Sequence, residues 1–370
     1  MLNNLHKIKY FNLYLLTLED KKNNDYLIPS NTIRIVNKNN LITILKKNKI
    51  EILIYELSSV TEIKKLNKLK ETKVIYYLHS SIFSWIYSSL FYFKLLYNNY
   101  KKSKYVITLV PFENDYLFKK WGIRSILMTN FMTYQYNNII PSDLSSKTIL
   151  MIGRVSDKNK RFYLGIKAMK YIVKEVPESH LLMIGSLSGI SYLQNLIKEL
   201  SLEKNTQFVR YTPTPNIYFK NASLHIFPTI YESFGLVLSE TKIYGIPNIL
   251  LGLDYVSIAK GGTIIIYDDN PESIAKEAIK ILTNYRYRKK MGAKARKSVK
   301  QFNNDYLLLK WIKLILSVYR GDYYYELLRN QNKKISNLDA LNIINSQIKL
   351  LKMRVPKFKN LTINKFLHFM

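Results

Sequence analysis

The chain has 370 residues, 47% of them hydrophobic, with 57 Lys and Arg against 26 Asp and Glu and no cysteine. These figures exclude a disulfide scaffold, a thiolate metal site and a long disordered polyelectrolyte, and the length suits two or three packed domains. The formal charge of +31 attracts polyanions such as nucleic acid, anionic lipid or phosphorylated ligands; a bias toward Lys, Asn, Ile and Tyr accounts for the charge equally well without any ligand.

The opening MLNNLHKIKYF lacks the apolar core and cleavage site of a signal peptide. Short apolar runs then alternate with helical patterns. Strands are predicted at 10–18, 32–36, 51–57, 73–79 and 104–110, with helices at 39–48, 62–70 and 82–100 between them. This alternation calls for a parallel sheet covered by helices. The longest apolar run, Ser81 to Phe93, is too short to span a bilayer. Its aromatic cluster around Trp85 suits either a core or a membrane-facing helix.

Residues 129–147, with Pro141 and a Ser-Asp-Leu-Ser-Ser run, read as a linker. A second series follows, with strands at 148–153, 180–185, 223–228, 247–251 and 263–267. Its helices fall at 162–175, 190–200, 235–244, 271–283, 286–299 and 304–319. The tail, 321–370, holds nine Lys and Arg against three Asp and Glu. Within it, 338–353 places Leu341, Ile344, Ile348 and Leu351 on one helical face, with Ser336 as the candidate cap. The expected division is an N-terminal Rossmann-like domain at 1–140, a C-terminal Rossmann-like domain at 141–305, and helices with a basic tail at 306–370. Two facing α/β domains with a cleft between them are the expected fold.

The chemistry concentrates in SLHIFPTIYESFGLVLSETKIYGIP, residues 223–247. A strand ends at Pro228, a loop carries Glu232, and Ser233 is placed to cap a helix whose first turn holds Gly235. Free N–H groups at such a helix start bind anions, and a glycine lets one approach closely. Glu240 follows eight residues after Glu232, so two carboxylates bracket the helix start. They suit sugar diols, as the helix start suits a diphosphate. Gly153 ends the strand at 148–153, and Arg154, Lys158, Lys160 and Arg161 follow it. A departing nucleoside diphosphate gains negative charge, which fixed cations stabilise. Such a leaving group needs neutralising more than it needs a proton, so no metal is required. No Asp-x-Asp pair occurs; Asp268 and Asp269 are adjacent. The five histidines, 6, 79, 180, 225 and 368, have no metal-ligand spacing. His180 and His225 lie within apolar strands and read as structural.

ESFGLVLSE, the following YGIP, and Gly153-Arg154 with a lysine beyond resemble the retaining GT-B glycosyltransferases, glycosyltransferase family 4 (glycosyl transferases group 1). The resemblance covers about residues 30–320. It implies that Glu232 contacts the donor sugar hydroxyls and Glu240 the nucleotide ribose. Arg154 and Lys160 would stabilise the diphosphate, with Lys160 one residue further from the arginine than is usual. Gly153, Gly235 and Leu236 would line the donor site, and His79 would face the sugar from the N-terminal domain. The implied reaction moves a sugar from a UDP- or GDP-linked donor to a saccharide or lipid-linked acceptor, with retention, without metal or other cofactor, in cell-surface polysaccharide or glycoconjugate synthesis. The expected location is cytoplasmic, or peripheral on the cytoplasmic face of an anionic membrane, with no specific nucleic acid partner.

The chain departs from the pattern at its start. The family opens with a strand and a Gly-rich loop, whereas the first glycine here is Gly122. Residues 1–18 read as the end of a helix followed by the second strand, so the central strand of the sheet and its loop have no counterpart. An alternative is therefore a non-catalytic relative that keeps the fold as a binding or scaffold protein.

Overall fold

The computed structural model describes residues 12–17, 32–36, 41–56, 60–84, 100–322 and 337–354, together with Leu5 and Asn98. Most of the Trp85 aromatic cluster and Ser336 lie outside the described residues.

Two larger parallel sheets organise the chain. In the N-terminal half, β3 (Ile52–Glu56), β4 (Lys73–Tyr77), β5 (Tyr105–Thr108) and β6 (Ile126–Leu127) form a parallel sheet in that order. Preceding it, β1 (Leu13–Thr17) and β2 (Thr32–Val36) pair in parallel as a separate two-stranded sheet. The helices α1 (Leu41–Lys47), α2 (Val60–Leu66) and α3 (Pro111–Trp121) connect the strands of this half. Among the described residues no strand joins β1 to β3.

The second sheet is parallel throughout, in the order β12-β11-β10-β7-β8-β9. It comprises β7 (Thr148–Ile152), β8 (His180–Gly185), β9 (Thr206–Arg210), β10 (Leu224–Phe227), β11 (Asn248–Leu251) and β12 (Thr263–Ile266). Its central strands, TILMI, LHIF and NILL, are apolar at nearly every position because helices cover both faces. The flanking helices are α4 (Phe162–Glu175), α5 (Ser191–Glu199), α6 (Asn216–Phe219), α7 (Leu236–Ile243), α8 (Pro271–Thr283) and α9 (Tyr285–Val299). Asparagines start three successive helices. Asn270, Asn284 and Asn303 accept from Glu272, Tyr287 and Tyr306 backbone N–H groups at 3.0, 2.9 and 3.0 Å, satisfying donors that a helix start leaves open.

The last two helices tie the halves together. α10 (Asn304–Arg320) crosses to the N-terminal sheet, where Trp311 is fully buried with its ring centroid 5.4 Å from that of Tyr77. Asn304 pairs with both backbone groups of Met132, at 2.7 and 2.8 Å. α11 (Asn337–Arg354) returns to the second sheet with Ile344, Ile348 and Leu350 buried. The face expected from the sequence is thus a packing face at Ile344 and Ile348. Among the described residues no helix is long and apolar enough to cross a membrane.

Four described elements were not expected from the sequence. Helix α3 buries Glu113, Asn114 and Asp115 on its inner side, which erases the apolar periodicity that would announce it. β9 is an edge strand, TQFVR, half open to solvent. α6 has four residues and β6 only two, too few for any period to show.

Candidate active site

The strand order reverses between β7 and β10, since the chain runs outward from β7 through β8 to β9 and from β10 through β11 to β12. Loops leaving the carboxyl ends of two such strands diverge and open a crevice there. The two sequence motifs lie in those two loops, which are hydrogen-bonded together. Ile230 N donates to Asn159 O at 3.0 Å and Tyr231 N to Asn159 Oδ1 at 3.2 Å. Lys160 Nζ donates to Glu232 Oε2 at 3.0 Å and lies 5.1 Å from the Phe227 ring centroid. The pair is mostly sheltered, at 15% and 23% side-chain exposure. Gly153 lies beneath the Lys160 chain, whose Cγ and Cδ would meet an added Cβ at 3.5 Å.

Beyond Glu232 the helix start differs in one respect from expectation. The residue before α7 is Gly235, not Ser233, and it makes no side-chain cap. Its φ of 81° is left-handed, which glycine adopts without the clash a Cβ brings. An Asn or Ser cap would occupy the first N–H groups with its own oxygen. Here the first intrahelical bond is Ser239 N to Gly235 O, at 2.9 Å. Leu236, at the mouth, is exposed. A Cβ at Gly235 would lie 3.6 Å from Glu232 Cγ, so the start of α7 stands beside Glu232, and a helix start without a side-chain cap leaves first-turn N–H groups open.

The other expected residues stand further off. Glu240 lies on α7 and accepts from Thr133 Oγ1 of the linker at 2.6 Å. Part of its surface is open, yet the surrounding protein pushes its carboxyl up to about 7 by desolvation, partly offset by Thr133. Arg154 is 76% exposed and pairs with Asp157 at 2.7 Å, so the cation in contact with Glu232 is Lys160. Arg161, expected among the cations facing the crevice, turns inward. It is 3% exposed, donates through Nε to Pro228 O at 2.7 Å, and meets Asp269 Oδ1 at 2.6 Å. His225 is buried with Nδ1 2.7 Å from Asn248 Oδ1. Burial lowers its pKa to about 4, so it is neutral and donates from Nδ1, in keeping with a structural histidine.

His79 closes β4 on the N-terminal side, its ring centroid 4.2 Å from that of Tyr77 and its Nε2 3.7 Å from Glu56 Oε1. Burial lowers its pKa; Glu56 works the other way. The segment after it reaches the second domain. The Phe83 ring lies 4.5 Å from that of Tyr255, and the Tyr255 hydroxyl accepts from Glu232 N at 3.0 Å. The Glu113 carboxyl accepts from Ile82 N at 2.8 Å, and Ser81 adds a favourable interaction with both that carboxyl and the Tyr255 hydroxyl. Glu113, Ser81 and Tyr255 thus cluster between helix α3 and the backbone of Glu232. Sequence reasoning missed all three, because none lies in a motif and their meeting joins distant segments.

Glu113 is fully buried, and desolvation pushes its carboxyl up to about 7 against the bonds from Ile82 and Ser81. A raised carboxyl favours the folded state while neutral, so its stabilising contribution is complete below the unfolded-state pKa and is lost as pH rises through about 7. Glu113→Gln is therefore expected to gain about 2–3 kcal/mol relative to the native chain between pH 4.5 and pH 8. Urea melts at the two pH values check this; a difference independent of pH refutes it.

Residues 135–298 match the family described as Glycosyl transferases group 1. The poly(ribitol-phosphate) alpha-N-acetylglucosaminyltransferase of Staphylococcus aureus (strain COL) is 23% identical over 231 residues, which are 60% of this chain and 46% of that protein. Sucrose-phosphate synthase from Thermosynechococcus elongatus superimposes with a TM-score of 0.70 at 16% identity, over 87% of this chain and 92% of its own. A point mutant of S. aureus TarM, in complex with fondaparinux, alpha-GlcNAc-glycerol and UDP, does so at 0.61 and 20%, over 75% and 58%. The chain spans about half or less of the length of the first curated relatives it matches. The fold is GT-B, with two parallel-sheet Rossmann-like domains and a helical C-terminal region.

Proposed function

We propose that the protein is a glycosyltransferase that moves a hexose-type sugar from a UDP- or GDP-linked donor to a saccharide or lipid-linked acceptor, with retention and without a metal. It would serve cell-surface polysaccharide or glycoconjugate synthesis, in the cytoplasm or at the cytoplasmic face of the membrane. The observation that carries this reading is the Lys160–Glu232 pair at the switch point, 3.0 Å across, beside the uncapped start of α7. A diphosphate entering there meets a sheltered cation and free backbone N–H groups together. Lys160 then exchanges a carboxylate partner for phosphate oxygens, and Glu232 is released to accept from the sugar hydroxyls. Glu240 accepts from the ribose diol, and His79 faces the sugar from the other domain. In the transfer the C1–O bond to the diphosphate breaks while the acceptor oxygen bonds to C1 on the same face. The acceptor proton passes to the departing phosphate oxygen. Lys160, Arg154 and the helix start stabilise the charge that builds on that phosphate. A UDP complex among the structural neighbours and a polyol-phosphate polymer in a relative's name support a nucleotide donor and a polymeric acceptor.

Calorimetric titration with UDP and GDP, followed by assay of nucleoside diphosphate release from a panel of their sugars, tests the reading. Saturable binding of one nucleotide and release from one of its sugars are expected; binding of neither refutes it. Nuclear magnetic resonance of the product reports the anomeric configuration. Nucleotide affinity should also follow Glu240, which accepts from both hydroxyls of a diol through both of its oxygens only when ionised. With a carboxyl near 7, the ionised fraction rises from about a tenth at pH 6 to about nine-tenths at pH 8. Affinity should strengthen by about tenfold over that interval beyond whatever change Glu240→Gln still shows. Parallel pH profiles for the two proteins would remove Glu240 from the ribose site.

A further inference from the structure

We propose that helix α11 is part of the donor site, with Arg354 a positioning residue that holds the loop carrying Glu232. The inference rests on the donor-site reading above and adds a segment outside the matched domain to it.

The last residue of α11 reaches the switch point. Arg354 grips Asp269 bidentately, through Nε and NH2 at 2.9 Å each, and NH1 donates to Ile230 O at 3.3 Å. Asp269 also takes Arg161, whose Nε holds Pro228 O. Both guanidiniums are buried, at 3% and 4% side-chain exposure, around a carboxylate at 20%. Residues 228–232 follow β10 without regular secondary structure. The carbonyls of Pro228 and Ile230 are held by the two arginines, while the N–H groups of Ile230 and Tyr231 are held by Asn159. The path of the chain into Glu232 is set from both sides.

The docking of α11 is built rather than incidental. Gln347 Nε2 donates to Gly252 O at 2.6 Å, and a Cβ at Gly252 would lie 2.0 Å from Leu350 Cδ1. A side chain there would force Leu350 to shift, and the φ of 68° favours glycine in any case. Arg161 sits in the left-handed region, with φ 47°, a conformation that costs a non-glycine residue energy and persists where surroundings hold it. Asp269 and Pro228 O supply that hold. Burial alone would raise the Asp269 carboxyl, but the two guanidiniums keep it below its usual range. Removing Arg354 leaves the carboxylate with a single guanidinium and frees Ile230 O. Loss of one partner from a buried charge set is felt by the groups that remain.

The test uses the full chain with Arg354→Gln and Arg354→Lys, titrated with UDP and with GDP, and hydrogen exchange read over peptides covering 228–235. Lysine keeps the charge but cannot bridge a carboxylate bidentately and a carbonyl together. The expected result is at least about tenfold weaker nucleotide binding and faster exchange confined to 228–235, with the glutamine variant more affected than the lysine one. Native-like affinity and exchange in the variants, while the native chain binds nucleotide, overturn the inference and leave the donor site standing. Exchange that rises throughout the chain in Arg354→Lys also overturns it, since the residue then serves stability alone. If Arg354→Gln does not fold, the lysine variant decides. Failure of the native chain to bind either nucleotide removes the donor reading and this inference with it.

Discussion

Glu232→Gln is expected to lower turnover of the nucleotide-sugar donor by about a thousandfold, the upper end of what removing one preorganised transition-state contact costs. The substitution is nearly isosteric, so the bond from the Glu232 backbone N–H to the Tyr255 hydroxyl survives and the fold is unchanged. What is lost is the charge that pairs with Lys160 at 3.0 Å and that would accept from the sugar hydroxyls. If the sugar contacts strengthen only as the bond to the diphosphate breaks, kcat falls and KM changes little. Nucleotide affinity separates this from a structural effect. An unpaired Lys160 is freer to meet a diphosphate, so UDP or GDP should bind as tightly to Glu232→Gln as to the native chain, or more tightly. Turnover within a factor of about ten of native would contradict the assigned role.

Arg288→Ala is expected to destabilise the second domain by about 3–5 kcal/mol, without any contact to the crevice. The Arg288 side chain is buried, and it donates to Leu144 O at 2.8 Å, to Ile281 O at 3.0 Å and to Leu282 O at 2.5 Å. Two of these carbonyls end helix α8, where no further turn can satisfy them. The third belongs to the linker that leads into β7. One guanidinium therefore closes a helix end and fastens the linker to it. Alanine leaves three buried acceptors with one partner fewer and a cavity beside Tyr285, whose ring centroid lies 5.3 Å from Arg288 Cζ. Denaturant unfolding followed by far-ultraviolet dichroism gives the change. A loss below about 1 kcal/mol would mean that water replaces the guanidinium at no cost.

Much of the second domain was readable from residue order alone. β7, β8, β10 and β11 are mostly apolar runs buried on both faces, and β12, at the sheet edge, is a half-buried run of isoleucines after Thr263. Helices α8, α9 and α10 begin at asparagines whose capping bonds the structure contains. Lys160, Glu232 and Gly235 were legible as candidates because strand exits are where a parallel sheet offers backbone and side chains to a ligand, and the structure brings them together. Elements whose burial breaks the usual pattern were not readable. Helix α3 hides Glu113, Asn114 and Asp115 inside, and β9 keeps polar residues at an exposed edge.

Periodicity reports how each residue meets its own surroundings, so residue order carried most strands, most helices, two α/β domains and the two loops of the crevice, while the GT-B arrangement came from the resemblance of the motifs. Which charge meets which depends on pairs of residues brought together by packing. Only the tertiary structure turned Arg161 away from the crevice and left Arg154 exposed. It joined Asp269 to Arg354 across 85 residues of chain, carried α10 onto the N-terminal sheet, and brought Glu113, Ser81 and Tyr255 together beside the backbone of Glu232. A buried ion or hydroxyl is stable only beside a partner, and the identity of that partner is written in the fold rather than in any local run of residues.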